Sequence, residues 1–164
     1  IQDLQRREAD IAIRHVRPDQ PELIARLIGH APGSFYAHQS YLDRNGTPRT
    51  LKQLSTCEFI GMPDIHRMIE YFAALNIHVT QDQFKSRSAN GMVAWEMAKT
   101  GLGVLPMSDI VAQDCPGMIK LLPDLDTIAF PFWLTTHREL HTSARIRLVF
   151  DHLADALKQH VMPA

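Results

Sequence analysis

The chain has 164 residues and a formal net charge of -1, with 45% hydrophobic and 21% charged residues. That balance gives interior enough for one domain or two small lobes, and no global field to draw the chain to nucleic acid or an anionic membrane. No apolar run approaches the roughly 20 residues that span a bilayer, and Asp3, Arg6, Arg7, Glu8 and Asp10 break up the start against a signal-peptide reading.

Residues 1–7 read as the tail of a helix rather than the opening of a domain, which implies upstream sequence. In 9–14, Ile11 and Ile13 alternate with smaller or polar residues as in a strand. Pro18 and Pro21 mark a polar turn, 22–29 an extended apolar segment and 35–37 a further short strand. A short helix from Tyr41 runs into the turn Asn45-Gly46-Thr47-Pro48, followed by a helical piece at 50–54 and a strand at 57–61. Asp64 then caps an amphipathic helix with Ile65, Met68, Ile69, Phe72 and Ala73 on one face, ended by Asn76.

Residues 87–106 carry the most information. They read as strand end, polar turn, helix, glycine stop and strand. Ser88 or Asn90 can cap the helix, Lys99 suits its C-terminal end, and Gly101 supplies the left-handed residue that stops it. Residues 102–105 read as a short buried strand, with Gly103 leaving room for a neighbouring backbone. Such a βαβ unit aims the first N–H groups of its helix at the carboxyl edge of the sheet, where open α/β sheets bind small molecules. The plainer alternative is a turn that only connects two elements.

After Pro106, Ser108 can cap a short helix through Gln113, broken at Cys115-Pro116-Gly117. Residues 118–122 and 130–136 are strand candidates, and Ser143 caps a last helix with an apolar stripe of Ile146, Val149, Phe150, Leu153 and Leu157. The alternation of strands and helices implies an α/β fold.

Enzyme-like features do not converge. His137-Arg138-Glu139-Leu140-His141 places two imidazoles four residues apart, but a zinc-protease helix needs the Glu directly after the first His. The segment precedes the Ser143 cap and reads as a turn, so no metal site is expected. The nine His residues are scattered. There is no Gly-x-Ser-x-Gly elbow, phosphate loop or dinucleotide fingerprint. Cys57, in an apolar strand, reads as an inert core thiol, and with Cys115 equally isolated the simplest setting is a reduced, cytoplasmic one. No cofactor is implied.

Ala9-Asp10-Ile11-Ala12-Ile13-Arg14 resembles the aspartate–apolar–alanine–isoleucine strand of LysR-type transcriptional regulators. Residues 36–42 with Gly46-Thr47-Pro48 and Leu54 are similar to that family's central crossover and its tyrosine–leucine, glycine–proline signature. Residues 92–106 resemble its glycine-x-glycine block, and 133–137 with 143–157 its closing strand and helix. The one departure is Thr56, where a His usually precedes the Cys.

The resemblance implies an effector-binding domain with a type II periplasmic-binding-protein-like fold: two Rossmann-like lobes with crossing strands and a cleft between them. Lobe I is expected at 1–36 and 129–164, incomplete at its start, and lobe II at 37–128. The family's DNA-binding winged helix-turn-helix is absent from the sequence. The resemblance places Gly61, Met62, Pro63, Asp64 and Ile65, with Ser88, Ala89 and Asn90, on the lobe II wall of the cleft, and Arg14 and His15 on the lobe I side. An Arg near two helix N-termini suits a small anionic metabolite, although Arg14 could equally be a surface ion pair. Met62 and Ile65 suit an apolar wall.

The function this implies is effector sensing coupled to transcription. A homo-dimer or tetramer would form in the full-length regulator, with DNA contacted through the absent domain and no membrane. A solute-binding transport protein of the same fold is the alternative; an α/β enzyme lacks a coherent acid, base and nucleophile.

Overall fold

The computed structural model describes residues 9–125 and 128–162, so the helix tail expected at 1–7 lies outside the described residues. In chain order the elements are β1 (Ile11–Arg14), β2 (Leu23–His38), α1 (Gln39–Asn45), α2 (Leu51–Leu54), β3 (Ile60–Gly61) and α3 (Ile65–Ala74). A 3-10 turn at Gln81–Gln83 leads to β4 (Ser86–Arg87), α4 (Gly91–Lys99), β5 (Leu105–Ser108), α5 (Asp109–Ala112), β6 (Met118–Leu121), β7 (Ile128–His137), α6 (Arg138–His141) and α7 (Ala144–Lys158). The chain divides into two compact units: unit 1 is Ile1–Pro32 with Ile128–Ala164, and unit 2 is Gly33–Thr127.

In unit 1, β1 runs antiparallel to β7, with Ile11 opposite Thr136 and Arg14 opposite Trp133, and β7 neighbours β2. Burial of Ile28, Leu134, Phe150 and Ala154 forms the core, with Ile11, Phe132, Leu153 and Leu157 packed against it. Thr135 and Thr136 are fully buried, and their hydroxyls donate to the carbonyls of Ala12 and Asp10, which satisfies them inside the sheet. The stripe of α7 differs from expectation at one place. Ile146, Phe150 and Ala154 are its buried line, while Val149, about 100° round the helix from Phe150, is 44% exposed.

In unit 2 the end of β2 is flanked on both edges. Antiparallel β5 sets Gly33 opposite Ser108 and Tyr36 opposite Leu105, and antiparallel β6 sets Phe35 opposite Leu121 and His38 opposite Met118. A second, parallel ladder pairs β3 with β4, Ile60 opposite Ser86 and Gly61 opposite Arg87. Val104 bridges Phe59 from the other edge of β3, accepting from Ile60 N–H and donating to the Glu58 carbonyl. That approach needs Gly103, because a Cβ there would stand 2.8 Å from the Glu58 carbonyl oxygen.

Alternate residues of this ladder meet different helices. Phe59 packs with Phe72 of α3 and with Phe35 and Phe84, ring centroids 5.1–6.1 Å apart. Ile60 packs instead with Ala94, Trp95 and Ala98 of α4. The helices therefore cover opposite faces, as right-handed crossovers require when the chain steps from β3 out to β4 and back past β3 to Val104.

Several local expectations are corrected. Residues 22–29 and 35–37 belong to one strand, β2, because both edges of its second half are occupied by partners that keep it extended through Pro32 and Gly33. The strand expected at 57–61 narrows to β3, and Cys57 lies in the preceding turn. The strand of 102–105 starts later: Leu102 is 47% exposed and regular pairing begins at Leu105. Ala73 of α3 is exposed, since the buried arc runs through Ile65 and Phe72. Residues 138–141 form a single helical turn, α6, because the His137 side chain caps it. Ser108 and Ser143 stand at N-cap positions, but neither side chain makes a capping hydrogen bond.

Candidate functional site

The parallel pair β3 and β4 puts two strand ends side by side, and each leads straight into a helix. The Ser88 N–H donates to the Gly61 carbonyl at 2.9 Å, which ties the loop before α4 to the end of β3. Adjacent parallel strands whose following helices lie on opposite faces form a topological switch point, the crevice where open α/β sheets receive ligands. Gly61, Met62, Pro63, Asp64 and Ile65 and Ser88, Ala89 and Asn90 are thus brought to one edge of unit 2.

Side-chain caps fix both loops. Asp64 accepts from the Arg67 N–H at 3.0 Å, and Asn90 accepts from Met92 and Val93 at 2.9 and 3.3 Å. The Ser88 hydroxyl accepts from the Asn90 N–H at 3.1 Å and donates to the Asn90 carbonyl at 3.0 Å, closing the turn. The Met62 N–H donates to the thioether of Met68 at 3.0 Å. Ile65 is buried beside Gly61, and a Cβ on Gly61 would collide with its side chain. Its side chain therefore packs inward, and only its backbone can meet a ligand.

Among the described residues, the N–H groups of Ile65, His66, Ala89 and Gly91 have no acceptor after the caps are made. These are the orphan donors of the two helix starts, and with the helix dipoles they favour an anion. His66 and Gly91 were not among the residues expected from sequence. Their signal was present, since the first positions after a capping Asp or Asn always hold uncapped donors. Asp64, exposed at the same edge, sets a limit on the field there.

Arg14 and His15 lie in unit 1, at the end of β1 and just past it. The Nε of Arg14 is buried with no hydrogen-bond partner. The His15 ring stands edge-on to Phe132 and Phe130, centroids 4.8 and 6.1 Å away, with Nδ1 3.2 Å from the Pro131 carbonyl. A carbonyl only accepts, so the contact places a proton on Nδ1.

The features weighed for catalysis go elsewhere. The Nδ1 of His137 accepts from the Glu139 N–H at 3.3 Å, and His141 turns onto the Phe150 ring at 5.4 Å, so the two imidazoles serve a cap and a core. Among the described residues no His, Cys, Asp and Glu cluster could hold a metal. Cys57 is half-buried, its thiol 3.6 Å from the Gln53 carbonyl, and burial pushes its pKa up, away from nucleophilic character. No helix among the described residues is long and apolar enough to cross a membrane.

Comparison with known proteins identifies the family and the fold. The family model for the LysR substrate binding domain matches residues 1–158. The regulatory domain of CrgA, a LysR-type transcriptional regulator from Neisseria meningitidis, is 21% identical with a TM-score of 0.74, over 93% of this chain and 78% of that one. Full-length CrgA is matched at 21% identity and a TM-score of 0.68, over 94% of this chain but 54% of that one, so the chain spans about half of its length. The Synechocystis PCC6803 CcmR regulatory domain, solved in complex with 2-PG, is 15% identical with a TM-score of 0.69, over 98% and 78%. No curated protein matches the chain. The fold is thus the periplasmic-binding-protein-like α/β fold of LysR regulatory domains, a non-enzymatic family. The chain belongs to the LysR substrate-binding domain family, the effector-sensing module of LysR-type transcriptional regulators.

Proposed function

We propose that this chain senses a small anionic metabolite through the loops that follow β3 and β4. Unit 1 corresponds to the family's lobe I and unit 2 to its lobe II. The effector's oxygens accept from the uncapped N–H groups of Ile65, His66, Ala89 and Gly91, while Met62 and Pro63 border it. Arg14 and His15, in unit 1, are further candidates for effector contact on the family resemblance alone. The observation that carries this reading is the Ser88–Gly61 hydrogen bond, which joins two helix starts at one switch point.

Effector binding shifts the population of lobe or dimer arrangements, and the shift reaches DNA through a helix-turn-helix domain outside this chain. A coupling of about 1–3 kcal/mol changes operator affinity 5–150-fold. The regulator acts in the cytoplasm as a homo-dimer or tetramer and is not an enzyme. The family match favours this over a solute-binding transport protein.

The test is a thermal-shift screen with mono-, di- and tricarboxylates and phosphorylated acids, since a ligand at 100 times its Kd stabilises by about 2.7 kcal/mol. A hit that stabilises the native chain but not a Ser88→Trp variant supports the reading. Stabilisation only by cations or neutral sugars contradicts it.

A further inference from the structure

The loop joining α1 to α2 lies beside the chain that leaves β6, and residues 47–51 and 120–125 enclose a groove of about 460 Å³. Small-molecule pockets run from about 300 to 1,000 Å³. Every lining residue belongs to unit 2, and none belongs to the loops at 61–65 and 88–90.

The groove has an apolar body and a basic margin. Pro48 and Leu121 are buried and Leu51 half-buried, so its lower surface is aliphatic. Arg49 lines one wall, exposed and without an ion-pair or hydrogen-bond partner for its guanidinium among the described residues. Lys120 lines the other. Its ammonium donates to Asp109 at 3.2 Å, and with three N–H groups it keeps two more to give. Among the described lining residues the one carboxylate, Asp124, is exposed to solvent, which screens it.

The backbone is unusual at the same place. Leu122 has φ +49°, a left-handed conformation that a bulky side chain rarely adopts. Strained residues of this kind gather at ligand clamps and switch regions. The wall is also joined to β2: Leu121 stands opposite Phe35, and the Asp109 that holds Lys120 accepts from the Tyr36 hydroxyl at 2.9 Å. An occupant that draws on Lys120 competes with a network anchored on that strand.

We propose that this groove is a second ligand site, for a small monocarboxylate with an aromatic or branched aliphatic body. The body rests on Pro48, Leu51 and Leu121, and the carboxylate takes charge-assisted hydrogen bonds from Arg49 and Lys120. This site is independent of the effector site proposed above.

The test is titration of phenylacetate into the isotope-labelled chain, followed by amide and methyl shifts, with 2-phenylethanol as the uncharged control. Saturating shifts at Arg49, Leu51, Leu121 and Leu122 are expected with the acid and not with the alcohol. Arg49→Gln, an exposed substitution that should leave the fold intact, weakens them on the order of tenfold, whereas Ser88→Trp leaves them unchanged. Equal shifts with the alcohol, shifts untouched by Arg49→Gln, shifts confined to residues 65–66 and 89–91, or no saturating shift overturns the site.

Discussion

The backbone N–H of Ser88 reaches the carbonyl of Gly61 at 2.9 Å, and through that bond the starts of α3 and α4 are held at one edge of unit 2. Gly61 leaves no space for a side chain, since a Cβ would meet Ile65 and stand 3.1 Å from Phe84. Gly61→Val is expected to push Ile65 off its seat and destabilise the chain by about 1–3 kcal/mol, the usual cost of overpacking. Urea denaturation measures this, and an unchanged midpoint would show that the loop yields freely.

Ser88→Trp tests the site without touching the core, because Ser88 is only half-buried and bonds within its own turn. Circular dichroism should match the native chain while the effector-induced thermal shift disappears. A retained shift in a folded variant places the effector elsewhere.

Asn90 caps α4 by accepting from two backbone N–H groups. Asn90→Ala is expected to cost about 1 kcal/mol, and Asn90→Asp to recover most of it by supplying an equivalent acceptor. Equal stabilities of the Ala and Asp variants would mean that the cap contributes nothing.

Alkaline pH offers a separate check of unit 2. Tyr41 is 2% exposed, and burial pushes its pKa from 10 up to about 12. Tyr36 moves up as well, through burial first and then its hydrogen bond to Asp109. Below pH 10 both tyrosines are neutral in the folded and unfolded chain, so their linkage leaves stability unchanged. Above it the unfolded tyrosines ionise first, and stability falls until the folded Tyr41 titrates near pH 12. Urea midpoints should drop between pH 10 and about 12, and drop less in Tyr41→Phe. An identical drop in the variant removes Tyr41 from the account.

Sequence patterning made the two helix caps beside the candidate site more legible than the sheet. Asp64 and Asn90 are short polar side chains placed just before apolar periodic runs, so cap, helix and loop could all be read locally. β2 could not, because Pro32 and Gly33 look like a break and only partners distant in sequence keep the strand whole. Leu102 and Val149 are apolar residues left at the surface, which periodicity alone cannot tell from core. The His137 cap was missed for a related reason: its role depends on where β7 stops, and that is set by pairing with β1. The separate position of Arg14 and His15 in unit 1 was legible only through family resemblance, since no local pattern links them to the loops of unit 2.

The most direct measurement is an amide chemical-shift titration of the labelled chain with whichever anionic metabolite raises its melting temperature. The account predicts that the largest shifts fall together on Ile65, His66, Ala89 and Gly91, at a common affinity, and vanish in Ser88→Trp. Shifts on only one of the two helix starts, or none at either, would contradict it.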